Sequence, residues 1–437
     1  MKVMIIAEKC SLQCPPDDPV AEVRYEMLLT GALRGRIEGA VVYQAQDGKK
    51  EAFCRDGLTY YPVSCRMDPD LTKADWEETR RQLLRVIKDF SPDVIQCMGA
   101  EWPYGLIAES VSIPVVIHMM GFLNAYYTEL DMVNGYFVTP QGKPQPERKM
   151  IRFLKRCRAW VGGKQPEPEP EKTVERITDA NARRERRVMA AVHYFMGRTE
   201  WDRNLAKYYS PGSKYYHVEE LLKPRMYEAA GQWLVHRQKN GTADGRRAGR
   251  PLRLLTISSG DDRKGNEIIL RTALLLRDLL KLNVEWRVAG HPEFFERYEK
   301  ITGIRHEDVN VKLIGYIDSA QVVEELKRAD LFIHPSIIDN SPHAVCEAQM
   351  IGCPVIASHV GGVADLVEGE ETGFLYPYHE PHALAFLIGN VAGEEERLKK
   401  VSENAMRAAS RRHDPDGIAK ALCQVYEDIL REQGKRG

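Results

Sequence analysis

Short apolar runs recur along the first half of the chain: "KVMIIA" at 2–7, "PDVIQCMG" at 92–99 and "IPVVIHMMG" at 113–121. Runs this short and this continuously apolar predict strands buried on both faces, as in a parallel sheet. Between them, "ADWEETRRQLLRVIKDF" at 74–90 places its apolar residues at helical spacing. Strand alternating with helix predicts a doubly wound α/β sheet, and "HYFMGRT" at 193–199 reads as a later strand of it.

A second series follows "HRQKNGTADGRRAGR", residues 236–250, whose glycines and charges predict a solvated connection. "LRLLTIS", "VEWRVAG", "VNVKLIG", "LFIHPS" and "PVIAS" read as its strands. We therefore expect one Rossmann-like domain over 1–215 and a second over 216–412. The amphipathic segment "DGIAKALCQVYEDILREQ" predicts a docking helix within 413–437, packed back toward the first domain. Residues 139–188 stand out as an insert. They hold the basic stretch "ERKMIRFLKRCRAW" (147–160) and then "KQPEPEPEK", a run expected to be extended. The basic stretch is either an interfacial helix that meets anionic lipid or a lipid-linked acceptor, or a solvated helix covering the first domain.

At 437 residues the chain exceeds one ordinary core, and a formal net charge of -1 leaves polyanion binding to local patches. With no matching aromatic platform or motif, nucleic acid is not an expected partner. No apolar run approaches the ~20 residues of a membrane-spanning helix, and the first residues lack a signal-peptide core. Nine cysteines without a framework suit a reducing cytoplasm. Cys10 and Cys14 have no second pair to complete a zinc site, and Asp68 and Asp70 sit in a turn-forming context, so no metal is expected.

Chemistry concentrates in "DNSPHAVCEAQMIGCPVIASHVGG", residues 339–362. Ser341 before Pro342 predicts a helix start, and Gly352 with Pro354 its end. The helix is entered from the end of a predicted strand, where open parallel sheets bind ligands. The amides of His343, Ala344 and Val345, with the helix dipole behind them, predict an anion site suited to phosphate. Glu347, one turn in, suits the vicinal hydroxyls of a ribose, and Asp339 hydroxyls beyond the phosphates. Acids flanking a phosphate site fit a nucleotide sugar.

These features, with "LLTISSGDDRKGNEIILRTALLL", "VKLIGYIDSAQVVEELKRADLFIHPS" and "VGGVADLVEGEETGFLYP" in the same order, resemble the retaining glycosyltransferases of family 4. The resemblance covers most of residues 252–377. In the first domain it is limited to "PDVIQCMG", "IPVVIHMMGF" and the stretch from "FMGRTEW". It implies the GT-B fold, α/β, with two Rossmann-like doubly wound domains facing each other across a cleft. The family's acidic pair, seven residues between, becomes Asp339 and Glu347, with Asp339 one methylene shorter than the usual glutamate. Lys264 in "RKG" matches the lysine on the donor phosphates. The arginine often found six residues earlier is Ser258 here, with Arg263 a candidate substitute. His118 matches a first-domain histidine near the reacting sugar, and Gly315 a loop against the nucleobase. Gly260, Tyr316, Asn340 and Ser341 complete the implied donor surface. The usual glycine pair after the first strand is replaced by "AEKCSLQCPPDDP".

The resemblance implies transfer of a hexose-type sugar to a hydroxyl acceptor with retention of configuration, in polysaccharide or glycoconjugate synthesis. Catalytic roles fall to His118, Lys264, Asp339 and Glu347. The expected partners are a nucleotide-sugar donor and a saccharide or lipid-linked saccharide acceptor. No cofactor is implied, and the expected location is the cytoplasm, with peripheral contact at the inner membrane face through 147–160. A non-catalytic nucleotide-sugar-binding subunit and a sugar-nucleotide epimerase are the rival readings. Closure of the two domains is expected to complete the site, because Lys264 and Glu347 lie in one and His118 in the other.

Overall fold

The computed structural model describes residues 1–14, 21–45, 51–63, 73–126, 170–240, 250–258 and 262–436. Gly260, the basic stretch 147–160 and Asp68 to Asp70 lie outside the described residues.

Two sheets carry the fold. The first comprises β1 (Lys2–Ile6), β2 (Glu38–Gln44), β3 (Phe53–Arg55), β4 (Leu58–Val63), β5 (Val94–Met98), β6 (Val115–His118), β7 (Tyr194–Gly197) and β8 (Lys214–His217). Their order is β3-β4-β2-β1-β5-β6-β7-β8, and every pair is parallel except β3 with β4. The second comprises β9 (Leu252–Ile257), β10 (Val284–Ala289), β11 (Val311–Gly315), β12 (Leu331–His334), β13 (Val355–Ser358) and β14 (Phe374–Tyr376). It is wholly parallel, in the order β11-β10-β9-β12-β13-β14. Strand order reverses between β1 and β5 and between β9 and β12, the crevices where such sheets take ligands.

The apolar runs account for the central strands: β5, β6, β7, β12 and β13 are buried along their whole length. β2, β3, β4, β8 and β14 were not foreseen. β3 and β14 have only three residues, and β8, an edge strand, runs exposed at both ends. β8 also carries the first sheet past the expected boundary at 215. Leu221 packs in the core of the first domain and Leu222 in that of the second, so the division falls between them.

Two further expectations change. Helix Gln232–Asn240 takes in the start of the expected connection at 236–250. Helix Pro170–Ala191 takes in the end of the expected insert, and its Glu185, Val188 and Met189 are buried. The C-terminal helix Pro415–Arg436 leaves the second domain and lays Ile418, Leu422, Val425, Tyr426 and Ile429 on the first-domain core.

Candidate functional site

The second-domain wall of the site is built where the loops after β9 and β12 touch. Gly265 has φ 71°, and a Cβ there would stand 2.0 Å from the Pro335 carbonyl oxygen. This close approach seats Lys264, whose Nζ pairs with Asp339 Oδ2 at 2.6 Å. Asp339 is also 3.3 Å from His334 Nε2, and its Oδ1 accepts from the Asn340 amide at 3.1 Å. Burial disfavours its charge, but Lys264 and His334 outweigh that and hold the carboxyl far below the usual range. We expect Gly265→Ala to lower stability by about 1–3 kcal/mol or more, read as an earlier denaturant midpoint. An unchanged midpoint would show that the loop shifts freely.

The site helix runs His343–Ile351 and ends at Gly352, φ 88°. Its start differs from expectation. Pro342 adopts ψ 116° and is itself the cap, and its carbonyl accepts from the amides of Val345 (3.0 Å) and Cys346 (3.3 Å). Val345 therefore spends its amide inside the first turn, and Ser341 is not the cap. The amides of His343 and Ala344 are left at the mouth of the helix. Glu347 is buried one turn in, with Lys223 Nζ 3.7 Å away.

At the far side of the sheet the carboxyl ends of β9, β10 and β11 form a recess lined by Ser258, Gly290, Phe295 and Leu313. A Cβ on Gly290 would meet the Ser258 carbonyl oxygen at 2.0 Å, so the two backbones lie in contact. Gly315, φ 71°, has open space where its Cβ would be, and Tyr316 beside it is 72% exposed. A planar group has room to lie there.

The first domain closes on this wall. Thr199 caps helix Glu200–Tyr209 by accepting from the Asp202 amide at 3.1 Å, and its hydroxyl donates to Asn340 Oδ1 at 2.7 Å. Asn340 Nδ2 donates to Asp202 Oδ2 at 3.2 Å and to the Met120 carbonyl at 3.4 Å. Asn340 thus acts as a strut between domains, its amide taken by protein. Gly361 and Gly362 permit this: a Cβ on either would strike the carbonyl oxygen of Asp339 or Asn340, at 2.0 Å and 2.4 Å. Arg263, the candidate substitute cation, packs on an aromatic ring. Its guanidinium stands 4.2 Å from the Tyr126 ring centre.

His118, the last residue of β6, is fully buried. Tyr25 donates to its Nδ1 at 2.8 Å, and its Nε2 donates to Glu220 Oε1 at 2.9 Å. Glu220 joins the two domains. Its Oε2 accepts from Arg198 Nη1 at 2.9 Å and from His343 Nε2, across the cleft, at 2.7 Å. Burial opposes its charge, but Arg198, His118 and His343 hold it well below the ordinary carboxylate range. Burial, then the charge of Arg24 2.9 Å away, lower His343 to about 4, so it faces the cleft neutral.

The residues missed by sequence reasoning are therefore Arg24, Arg198, Glu220, Gly361 and Gly362. Two left a signal: Arg198 ends the buried run "YFMG", and Glu220 interrupts "VEELL". Arg24 left none. Among the described residues no group of three or more His, Cys, Asp or Glu could hold a metal ion, and no helix is long and apolar enough to cross a membrane.

Residues 240–408 match the family model described as Glycosyl transferases group 1. A D-inositol 3-phosphate glycosyltransferase of Xylanimonas cellulosilytica is 27% identical over 176 residues, 40% of this chain and 41% of its own length. The chain spans less than half the length of the curated relatives it matches. Among solved structures, a sucrose-phosphate synthase of Thermosynechococcus elongatus superposes with TM-score 0.69 at 14% identity, covering 99% of each chain. An Anabaena protein in complex with UDP-glucose does so with TM-score 0.61 at 15% identity, covering 98% of this chain and 99% of its own. At these identities the likeness is one of fold, and the fold is GT-B.

Proposed function

We infer that this chain, which carries a glycosyl transferases group 1 domain, is a retaining glycosyltransferase of the family 4 type. It moves a hexose-type sugar from a nucleoside diphosphate donor to a hydroxyl of a saccharide or lipid-linked saccharide, in surface polysaccharide or glycoconjugate synthesis. The observation that carries this reading is the Lys264–Asp339 pair at the open mouth of helix His343–Ile351. On this reading the Lys264 ammonium and the amides of His343 and Ala344, on the loops after β9 and β12, together seat the diphosphate.

On this reading Glu347 takes the ribose hydroxyls, and the base lies along Gly315 beneath Tyr316. Asp339 keeps Lys264 in place and reaches the donor sugar. The acceptor oxygen forms its bond to the anomeric carbon on the face from which the phosphate oxygen departs. That departing oxygen takes the acceptor proton. Charge growing on the diphosphate meets Lys264 and the helix amides, already oriented, and the scheme calls on no cofactor.

Binding is tested first by thermal shift with UDP, GDP, ADP and their sugar conjugates, UDP-glucose among them, on the wild type and on Glu347→Ala. We expect one base to stabilise the wild type by a few degrees and the variant by much less. Ser258, where the family often has a cation, favours the non-catalytic reading. Binding of a sugar conjugate without release of its nucleotide would establish that alternative.

A further inference from the structure

The carboxyl end of β5 holds an acid that the donor site does not use. The Glu101 carboxyl is seated between two glycines: a Cβ on Gly99 would stand 2.6 Å from its Oε2, and one on Gly121 would stand 2.5 Å from its Oε1. Gly99 has φ 82°, a conformation suited to glycine. The Gly121 position also lies 2.8 Å from the Tyr126 hydroxyl, which sets that hydroxyl near Oε1. Three elements of the first domain thus converge on one carboxyl group.

That group is incomplete. Oε2 is buried and has no hydrogen-bond partner among the described residues. Native proteins rarely leave such an oxygen unsatisfied, since the desolvation cost is not recovered. Burial pushes the carboxyl up. The amides of Glu101, Gly121 and Ala100 and the charge of Arg263 draw it back. Arg263 belongs to the opposite wall, and Tyr126 lies within electrostatic reach of both Asp339 and Glu101. Arg263 and Tyr126 thus couple the Glu101 carboxyl electrostatically to the second-domain wall that holds Asp339.

Resting on the transfer reading, we propose that Glu101 Oε2 accepts a hydrogen bond from a hydroxyl of the acceptor, and that the acceptor is a neutral saccharide at that point. A hydroxyl brings the single donor that the oxygen lacks. An acceptor phosphate would bring only oxygens against a carboxylate.

The test is ligand-observed NMR with the methyl glycosides of glucose, galactose, mannose and N-acetylglucosamine and with glucose 6-phosphate, on the full chain with UDP present. Wild type, Glu101→Gln and Glu101→Ala are compared. We expect at least one neutral glycoside to bind the wild type and to bind Glu101→Gln about tenfold more weakly, the size of one lost charge-assisted hydrogen bond. The UDP thermal shift should be the same in both, which shows an intact fold and donor site. Glycoside affinity in both variants equal to that of the wild type, no neutral glycoside bound by the wild type, or tighter binding of glucose 6-phosphate would each overturn the proposal. A wild type that ignores every nucleotide yet binds glycosides through Glu101 would instead sink the transfer reading, and with it the assignment of this sugar as acceptor.

Discussion

Glu220→Ala is expected to lower folding stability by about 3–5 kcal/mol, the largest effect of any single substitution considered. The carboxylate is wholly buried and accepts from His118, Arg198 and His343, with Arg24 Nη1 3.7 Å away. Removing it leaves the buried Arg198 guanidinium without its counter-charge, and that loss outweighs the lost hydrogen bonds. Denaturant midpoints measure the effect, and Glu220→Gln, which keeps the shape, should recover part of it. The pH dependence has a definite sign. A carboxylate with a depressed folded pKa contributes its stability above its unfolded value of about 4.3 and loses it as pH falls through the folded value. The gap between wild type and Glu220→Gln should therefore hold from pH 7 to 5 and narrow only in stronger acid. A gap that closes by pH 5 would mean that the carboxylate is not held as the geometry implies.

Lys264→Ala should reduce nucleotide release from the preferred donor by roughly 10²–10³-fold in kcat, the scale of one preorganised donor removed from a developing anion. The ammonium is fixed at 2.6 Å from Asp339 and needs no reorientation when phosphate charge develops. Asp339→Asn keeps the shape and the lysine but frees the ammonium to wander. It should cost less in kcat and more in the precision of donor-sugar choice, read as a narrowed ratio of kcat/KM between epimeric donors. A loss below tenfold in Lys264→Ala would shift the burden of leaving-group charge to Arg24 and Arg198.

The central strands could be read from the sequence because each is a run of apolar residues buried on both faces, where composition alone decides. β8 could not, because "KYYH" borrows its partner from β7 and is half exposed. The same contrast divides the site. Lys264 and Glu347 could be nominated from the sequence because each belongs to a local motif that also builds its own turn or helix. Glu220 and Arg198 are 22 positions apart and meet His343 only when the domains meet. No local pattern encodes that encounter. His118 ends β6 and bonds Glu220, so the chain links it to His343 only through that carboxylate.

The two passages of chain between domains, near 217–224 and 412–415, are pinned to each other. His413 Nδ1 donates to the Glu220 carbonyl at 2.7 Å, and Tyr227 donates to the His413 carbonyl at 2.9 Å. Mechanically this is a hinge with two leaves sharing one pin. Sliding and twisting of one domain on the other are opposed by covalent chain at two adjacent points, while rotation about the line through them is not. The Asn340 strut and the bond from the Glu200 amide to Asp365 (2.7 Å) then act as a clasp that such rotation must undo.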